Sequence, residues 1–153
     1  MKLSEFFKED NISPQLKARD KKGVLEEMAG LVSQNDPTID KGSLVRVLVE
    51  RERLGSTGIG DGVAIPHGKL SSVREPIISF GRSKEGLDFD SMDGQPAHLF
   101  FLLIAPENSS GIHLQALARI AKILKSGSFR KRLMMSKTKD EIYQEIIQTD
   151  EKS

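Results

Sequence analysis

The chain has no cysteine among its 153 residues. That excludes disulfides, thiolate catalysis and cysteine-based zinc sites. It has no apolar run long enough to span a bilayer. The N-terminus, Met1 to Glu9, carries acidic residues and none of the apolar stretch of a signal peptide. A cytoplasmic location without membrane insertion is the resulting expectation. Charge of one sign is also missing: 23 basic and 22 acidic residues leave a net charge of +1. A nucleic-acid binder would want a clustered basic face, so that class is disfavoured. With no linker, repeat or low-complexity tract, one domain over residues 1–153 is expected. A chain of this length buries roughly 70% of its unfolded surface, enough for a substantial core.

Periodicity and turn signals place the elements. Asp20 can cap a helix whose apolar stripe is Val24, Leu25, Met28, Leu31 and Val32, broken at Asn35-Asp36-Pro37. Asp40 can cap a second, with Leu44, Val45, Val47 and Leu48 inward and Gly55 closing it. Val63-Ala64-Ile65 reads as a short strand, and Pro76 to Gly81 as another that starts at its proline. His98 to Ile104 is apolar on both faces, which predicts a central strand covered by helices on each side. Asn108, Ser109 and Ser110 offer caps for a long helix with Leu117, Ile120, Ala121 and Leu124 at core spacing. Ser128 can begin a short helix through Leu133. Thr138 with Glu141 forms a capping box for a last helix with Ile142, Tyr143, Ile146 and Ile147 inward. The class is α/β, a small mixed β-sheet flanked by helices on both sides.

The densest signal is Gly58-Ile59-Gly60-Asp61-Gly62-Val63-Ala64-Ile65-Pro66-His67-Gly68-Lys69. Gly55, Gly58, Gly60 and Gly62 can present N–H groups to a phosphate or simply make a tight turn. The spacing fails both the dinucleotide fingerprint and the P-loop. His67 stands between a proline and a glycine, where a strand ends and a loop begins, a place where ligands meet open α/β sheets. It can be a structural histidine. It can also be a nucleophile, because an imidazole with a pKa of about 6.5 is mostly neutral and keeps a lone pair. His113 falls in the first turn of the long helix, where it can donate to an anion or lie exposed. Arg51 belongs to the run Glu50-Arg51-Glu52-Arg53, either a solvated helix end or a source of one guanidinium for a phosphate beside His67. His98 reads as structural. Asp88, Asp90 and Asp93 lack the spacing of a calcium loop and read as a solvated turn around Gly94.

Leu54-Gly55-Ser56-Thr57-Gly58-Ile59-Gly60 followed by Ala64-Ile65-Pro66-His67-Gly68-Lys69 closely resembles the EIIA domain of fructose/mannitol type from the bacterial phosphoenolpyruvate phosphotransferase system, and most of all its nitrogen-related branch. The resemblance runs from Leu3 to about Ile147. It implies that His67 is the phosphorylated residue, that Arg51 and His113 are its catalytic companions, and that Asp61 and Gly68 support the phosphate site. It implies the flanked mixed sheet reached independently above. It also implies no metal and no cofactor. The implied partners are a phosphocarrier of the HPr or NPr type, then an EIIB domain or a regulated kinase, channel or transporter, with the chain itself a monomer or weak dimer. The end of the chain at Ser153, with no EIIB or EIIC following, favours a free-standing regulator.

Overall fold

The computed structural model describes Met1–Ser153. One six-stranded mixed sheet separates two helical layers. The strands are β1 (Phe7–Ser13), β2 (Gly58–Gly60), β3 (Val63–Ala64), β4 (His67–Leu70), β5 (Ile77–Leu87) and β6 (Ala97–Pro106). The helices are α1 (Lys21–Asn35), α2 (Lys41–Arg53), α3 (Ser110–Leu124), α4 (Gly127–Met135) and α5 (Lys139–Lys152). The order across the sheet is β1-β5-β6-β3-β2, and β4 pairs with β6 beyond β3.

β6 is the central strand, as its two apolar faces require. Leu99, Phe101 and Leu103 pack toward α3, α4 and α5, with Ile120, Phe129 and Ile142. Phe100, Leu102 and Ile104 pack toward α1 and α2, with Leu25, Met28, Leu44 and Leu48. Side-chain alternation along one extended strand thus feeds two separate cores.

Asp20 and Asp40 cap α1 and α2, each carboxylate accepting the N–H three residues on. The α4 cap is Ser126 rather than Ser128, its hydroxyl accepting the Phe129 N–H. Thr138 caps α5, while Glu141 turns to the Lys137 N–H instead of completing a box. The buried stripe of α3 is His113, Ala116, Ile120, Ile123 and Leu124; the expected Ile120 and Leu124 lie in it, and the expected Leu117 and Ala121 pack half-buried beside it. β5 runs six residues past Gly81, through Arg82, which is only 1% exposed. Arg82 donates to the carbonyls of Pro14, Leu133 and Ser136, so its charge meets the carbonyl-rich end of α4. β1 had no strand signature: three consecutive charged residues hide an edge strand whose apolar anchors are Phe7 and Ile12, beside a buried Asn11.

Candidate functional site

The segment Val63 to Leu70 is one extended path interrupted in the middle. Val63 and Ala64 pair in parallel with Leu99 and Phe100 of β6, and His67 to Leu70 pair with Leu103 to Pro106 in the same register. Ile65 and Pro66 form the gap. Proline has no N–H to give to a ladder, and the Ile65 N–H goes sideways to the Thr57 carbonyl. His67 therefore begins a strand, where the sequence suggested the end of one. The glycine-rich stretch before it is a hairpin: β2 pairs antiparallel with β3 across Asp61 and Gly62, both at positive φ (58° and 77°).

The interruption leaves the Ile65 carbonyl free of the ladder, and it turns to the His67 ring, 2.8 Å from Nδ1. From the other side the Arg51 Nε–H donates to His67 Nε2 at 3.2 Å. A carbonyl can only accept and a guanidinium N–H can only donate. A neutral imidazole with these partners has its proton on Nδ1 and its lone pair on Nε2. Burial, the largest cause, and the Arg51 charge hold its pKa below the ordinary imidazole value, against the opposing pull of the Ile65 carbonyl and Glu52.

Arg51 reaches His67 because α2 lies close against β4. A Cβ on Gly68 would stand 2.4 Å from Val47 Cγ1, so only glycine permits this approach. Arg51 is one helical turn beyond Val47. Arg51 Nη1 also donates to the Gly55 carbonyl at 2.9 Å.

His113 arrives from the opposite layer. Its ring centroid is 5.3 Å from that of His67, with planes inclined at 58°. It is buried (7% exposed), which corrects the picture of an exposed histidine at a helix start. Position 113 lies on the same helical face as Ala116 and Ile120, and that face is core. Its Nδ1 is buried with no hydrogen-bond partner. Burial first, then the neighbouring His67 and Lys69, push its pKa down to about 4. It is thus a neutral ring at physiological pH.

Asp61 is not brought to His67. It sits in the far turn of the hairpin, its N–H donating to Asp93, while Val63 and His67 alone are separated by four extended residues, roughly 13 Å. Gly68 contributes through packing. His98 packs its ring over Gly86, with Nδ1 3.0 Å from the Ser83 carbonyl, a structural placement. Asp93 accepts from Gln95 and Asp61 beside the Gly94 turn. Two residues escaped the sequence reading. Lys69, two positions after His67, adds positive charge near His113. Glu52, taken for part of a solvated run, has a side chain only 6% exposed and accepts from Thr57 and Lys21. The sign that could have found it is Thr57, a donor placed five residues later at the start of the next element.

Fold and site define a class: an α/β domain that offers one neutral imidazole, backed by a cation and a second imidazole, at a sheet edge carrying no further strand. The family model described as "Phosphoenolpyruvate-dependent sugar phosphotransferase system, EIIA 2" matches residues 5–149. The chain belongs to that family. It is 42% identical over 147 residues to the "Nitrogen regulatory protein" of Bradyrhizobium diazoefficiens, covering 94% of this chain and 93% of the relative. It is 39% identical over 150 residues to the "PTS system fructose-specific EIIABC component" of Bacillus subtilis, covering 98% of this chain but only 24% of that longer protein. Among solved structures, that of nitrogen regulatory protein IIA-Ntr from Neisseria meningitidis superposes with a TM-score of 0.87 at 33% identity, covering 94% of this chain and 98% of that one. No helix is long and apolar enough to cross a membrane.

Proposed function

We propose that the protein is a cytoplasmic phosphocarrier that accepts a phosphoryl group on Nε2 of His67 from the phosphohistidine of an HPr- or NPr-type protein. The observation that carries this reading is the paired hydrogen bonding of the ring, Nδ1 to the Ile65 carbonyl and Nε2 to the Arg51 N–H. It leaves a single nucleophilic nitrogen, already beside a guanidinium.

In the transfer, the bond between phosphorus and the donor imidazole breaks as a bond to His67 Nε2 forms. The donor nitrogen recovers its lone pair, and the His67 proton stays on Nδ1. Positive charge that develops on the His67 ring is stabilised by the Ile65 carbonyl. Arg51 gives up Nε2 as phosphorus arrives and donates to the phosphoryl oxygens, where its planar fork fits. Neutral His113 has its Nδ1 buried, leaving Nε2–H as the donor for a further oxygen. Such reactions depend chiefly on positioning and on charge stabilisation of the equatorial oxygens. Asp61 shapes the hairpin, and Gly68 seats α2.

The surround suits a protein donor. Leu54, three residues after Arg51, is 85% exposed, and Ile112 and Leu114 flank His113 with substantial exposure. Apolar side chains bordering a charged centre are a usual makeup for a transient protein interface. Loading the site adds roughly −1.5 to −2 charges there. This gives the protein a second use as a state-dependent regulator of a kinase, channel or transporter, in keeping with the nitrogen regulatory relatives. The fructose-specific relative favours a second reading, in which His67 passes the group to the cysteine of an EIIB domain.

The deciding experiment incubates the protein with phosphoenolpyruvate, enzyme I and each carrier in turn, followed by intact mass and site mapping. An acid-labile, base-stable adduct on His67 is expected. No adduct with either carrier, or an adduct on another residue, refutes the reading. Onward transfer to an EIIB cysteine separates sugar uptake from regulation.

A further inference from the structure

Glu52 follows Arg51 in sequence but points inward. Its carboxylate collects three donors: the Thr57 N–H at 3.0 Å, the Thr57 hydroxyl, and Lys21 Nζ at 2.9 Å. Lys21 is itself held by Asp90 at 3.3 Å and by the face of Phe89, 4.9 Å from the ring centroid. One buried carboxylate thus ties the first turn of α1 and the last turn of α2 to Thr57, just before β2. The five-residue step from Glu52 to Thr57 closes a loop, and inside it lies Gly55.

The Gly55 carbonyl is the second anchor of Arg51, accepting from Nη1 while Nε meets His67. Gly55 has φ +146°, a conformation L side chains rarely adopt, yet nothing stands within 4 Å of where its Cβ would be. Space does not demand glycine here; the direction of the backbone does. A free arginine has many rotamers, and only the one that bridges Gly55 and His67 serves the reaction.

We infer that Glu52 is a positioning residue for phosphoryl transfer: by holding Thr57 it sets the direction of the Gly55 carbonyl, which in turn holds the Arg51 guanidinium on the reacting nitrogen of His67. The inference rests on the phosphocarrier reading above. It places Glu52 outside direct contact with the phosphoryl group and makes its positioning effect dependent on Arg51, distinct from the pull of its charge on the His67 ring, which is the last of the causes acting there.

The test is single-turnover transfer from phosphorylated carrier for Glu52→Ala, Glu52→Gln and Gly55→Ala, each alone and combined with Arg51→Ala. Glu52→Ala and Gly55→Ala are each expected to slow transfer about 100-fold, the usual consequence of misplacing a catalytic group by about 1 Å. The carrier concentration giving half the maximal rate stays unchanged. In the Arg51→Ala background neither substitution slows transfer further, since the group they position is gone. Glu52→Gln keeps an acceptor for the Thr57 N–H and falls between; with Gly55→Ala it keeps the test open if Glu52→Ala fails to fold. In nitrogen-15 spectra of the unphosphorylated protein, the His67 Nε2 resonance moves toward that of a nitrogen without a donor. Wild-type rates and spectra in folded Glu52→Gln and Gly55→Ala overturn the inference, as does slowing that persists in the Arg51→Ala background. Failure of the wild type to take phosphate from any carrier refutes the function instead, and the spectra then still decide whether Glu52 holds Arg51 on His67.

Discussion

His67 and His98 occupy neighbouring strands and have the same first hydrogen bond. Each sets Nδ1 against a backbone carbonyl, Ile65 for one and Ser83 for the other, and this contact puts the proton of a neutral ring on Nδ1 and its lone pair on Nε2. They part at that second nitrogen. For His98 the backbone of Gly86 closes over the ring so tightly that a Cβ would stand 2.8 Å from Nε2. For His67 the same nitrogen meets an arginine at a strand edge that no other strand covers. An anchored tautomer is therefore not a mark of reactivity. What marks the reactive ring is the group its free nitrogen faces, and whether a partner can replace that group.

The largest effect is expected from the two histidines themselves. His67→Ala should abolish uptake of phosphate from phosphorylated carrier, with a native circular dichroism spectrum. His98→Ala should keep full uptake and instead lose about 1 kcal/mol of stability in urea, having stripped the Ser83 carbonyl of its donor. Full labelling of His67→Ala, or loss of labelling in a folded His98→Ala, would break the contrast.

Each histidine also has a glycine that lets it sit where it does, and the two glycines sharpen the comparison. A methyl group on Gly68 would collide with Val47 and push α2 outward, carrying Arg51 off His67. A methyl group on Gly86, at φ +79°, would strain the backbone and strike the His98 ring. Both Gly68→Ala and Gly86→Ala should cost about 1–3 kcal/mol in denaturant unfolding. Only Gly68→Ala should also slow single-turnover transfer. Equal rates for the two folded variants would mean that the seat of α2 does not govern Arg51.

The sequence made much of this legible, for reasons that can be located. β6 was plain because seven consecutive apolar residues leave it no solvent face, and α1 and α2 because Asp20 and Asp40 cap them by local chemistry. β1 was hidden because an edge strand held at Phe7 and Ile12 needs no alternation between. The stripe of α3 was legible at Ile120 and Leu124 and incomplete at His113, because a histidine does not read as core; its neighbour across the layers, His67, is what makes burial there useful. In the site, His67, Arg51 and His113 do come together from three elements. Asp61 does not, since proximity in sequence along an extended hairpin becomes distance in space. Glu52 was lost among the charges around it, because nothing in a helical charge run tells which member turns inward.

The smallest effect expected is on stability, and it extends the comparison to His113, the third ring. Its pKa falls to about 4 in the folded protein, with burial the main cause and the charges of His67 and Lys69 adding to it. In the unfolded chain it returns to the ordinary value near 6.5. Between these values the unfolded state binds the extra proton, so stability rises with pH. The contribution of the neutral ring is therefore complete above about pH 6.5 and is lost as pH falls toward 4. His67, lowered for similar reasons, acts in the same direction. Carboxylates also titrate in acid, so the informative quantity is a difference: the melting temperature of the wild type minus that of His113→Gln, followed from pH 7 to pH 4. That difference should shift steadily against the wild type as the pH drops. A flat difference would mean that the buried Nδ1 of His113 has a means of accommodating a proton, and that the ring is not held neutral for the phosphoryl group.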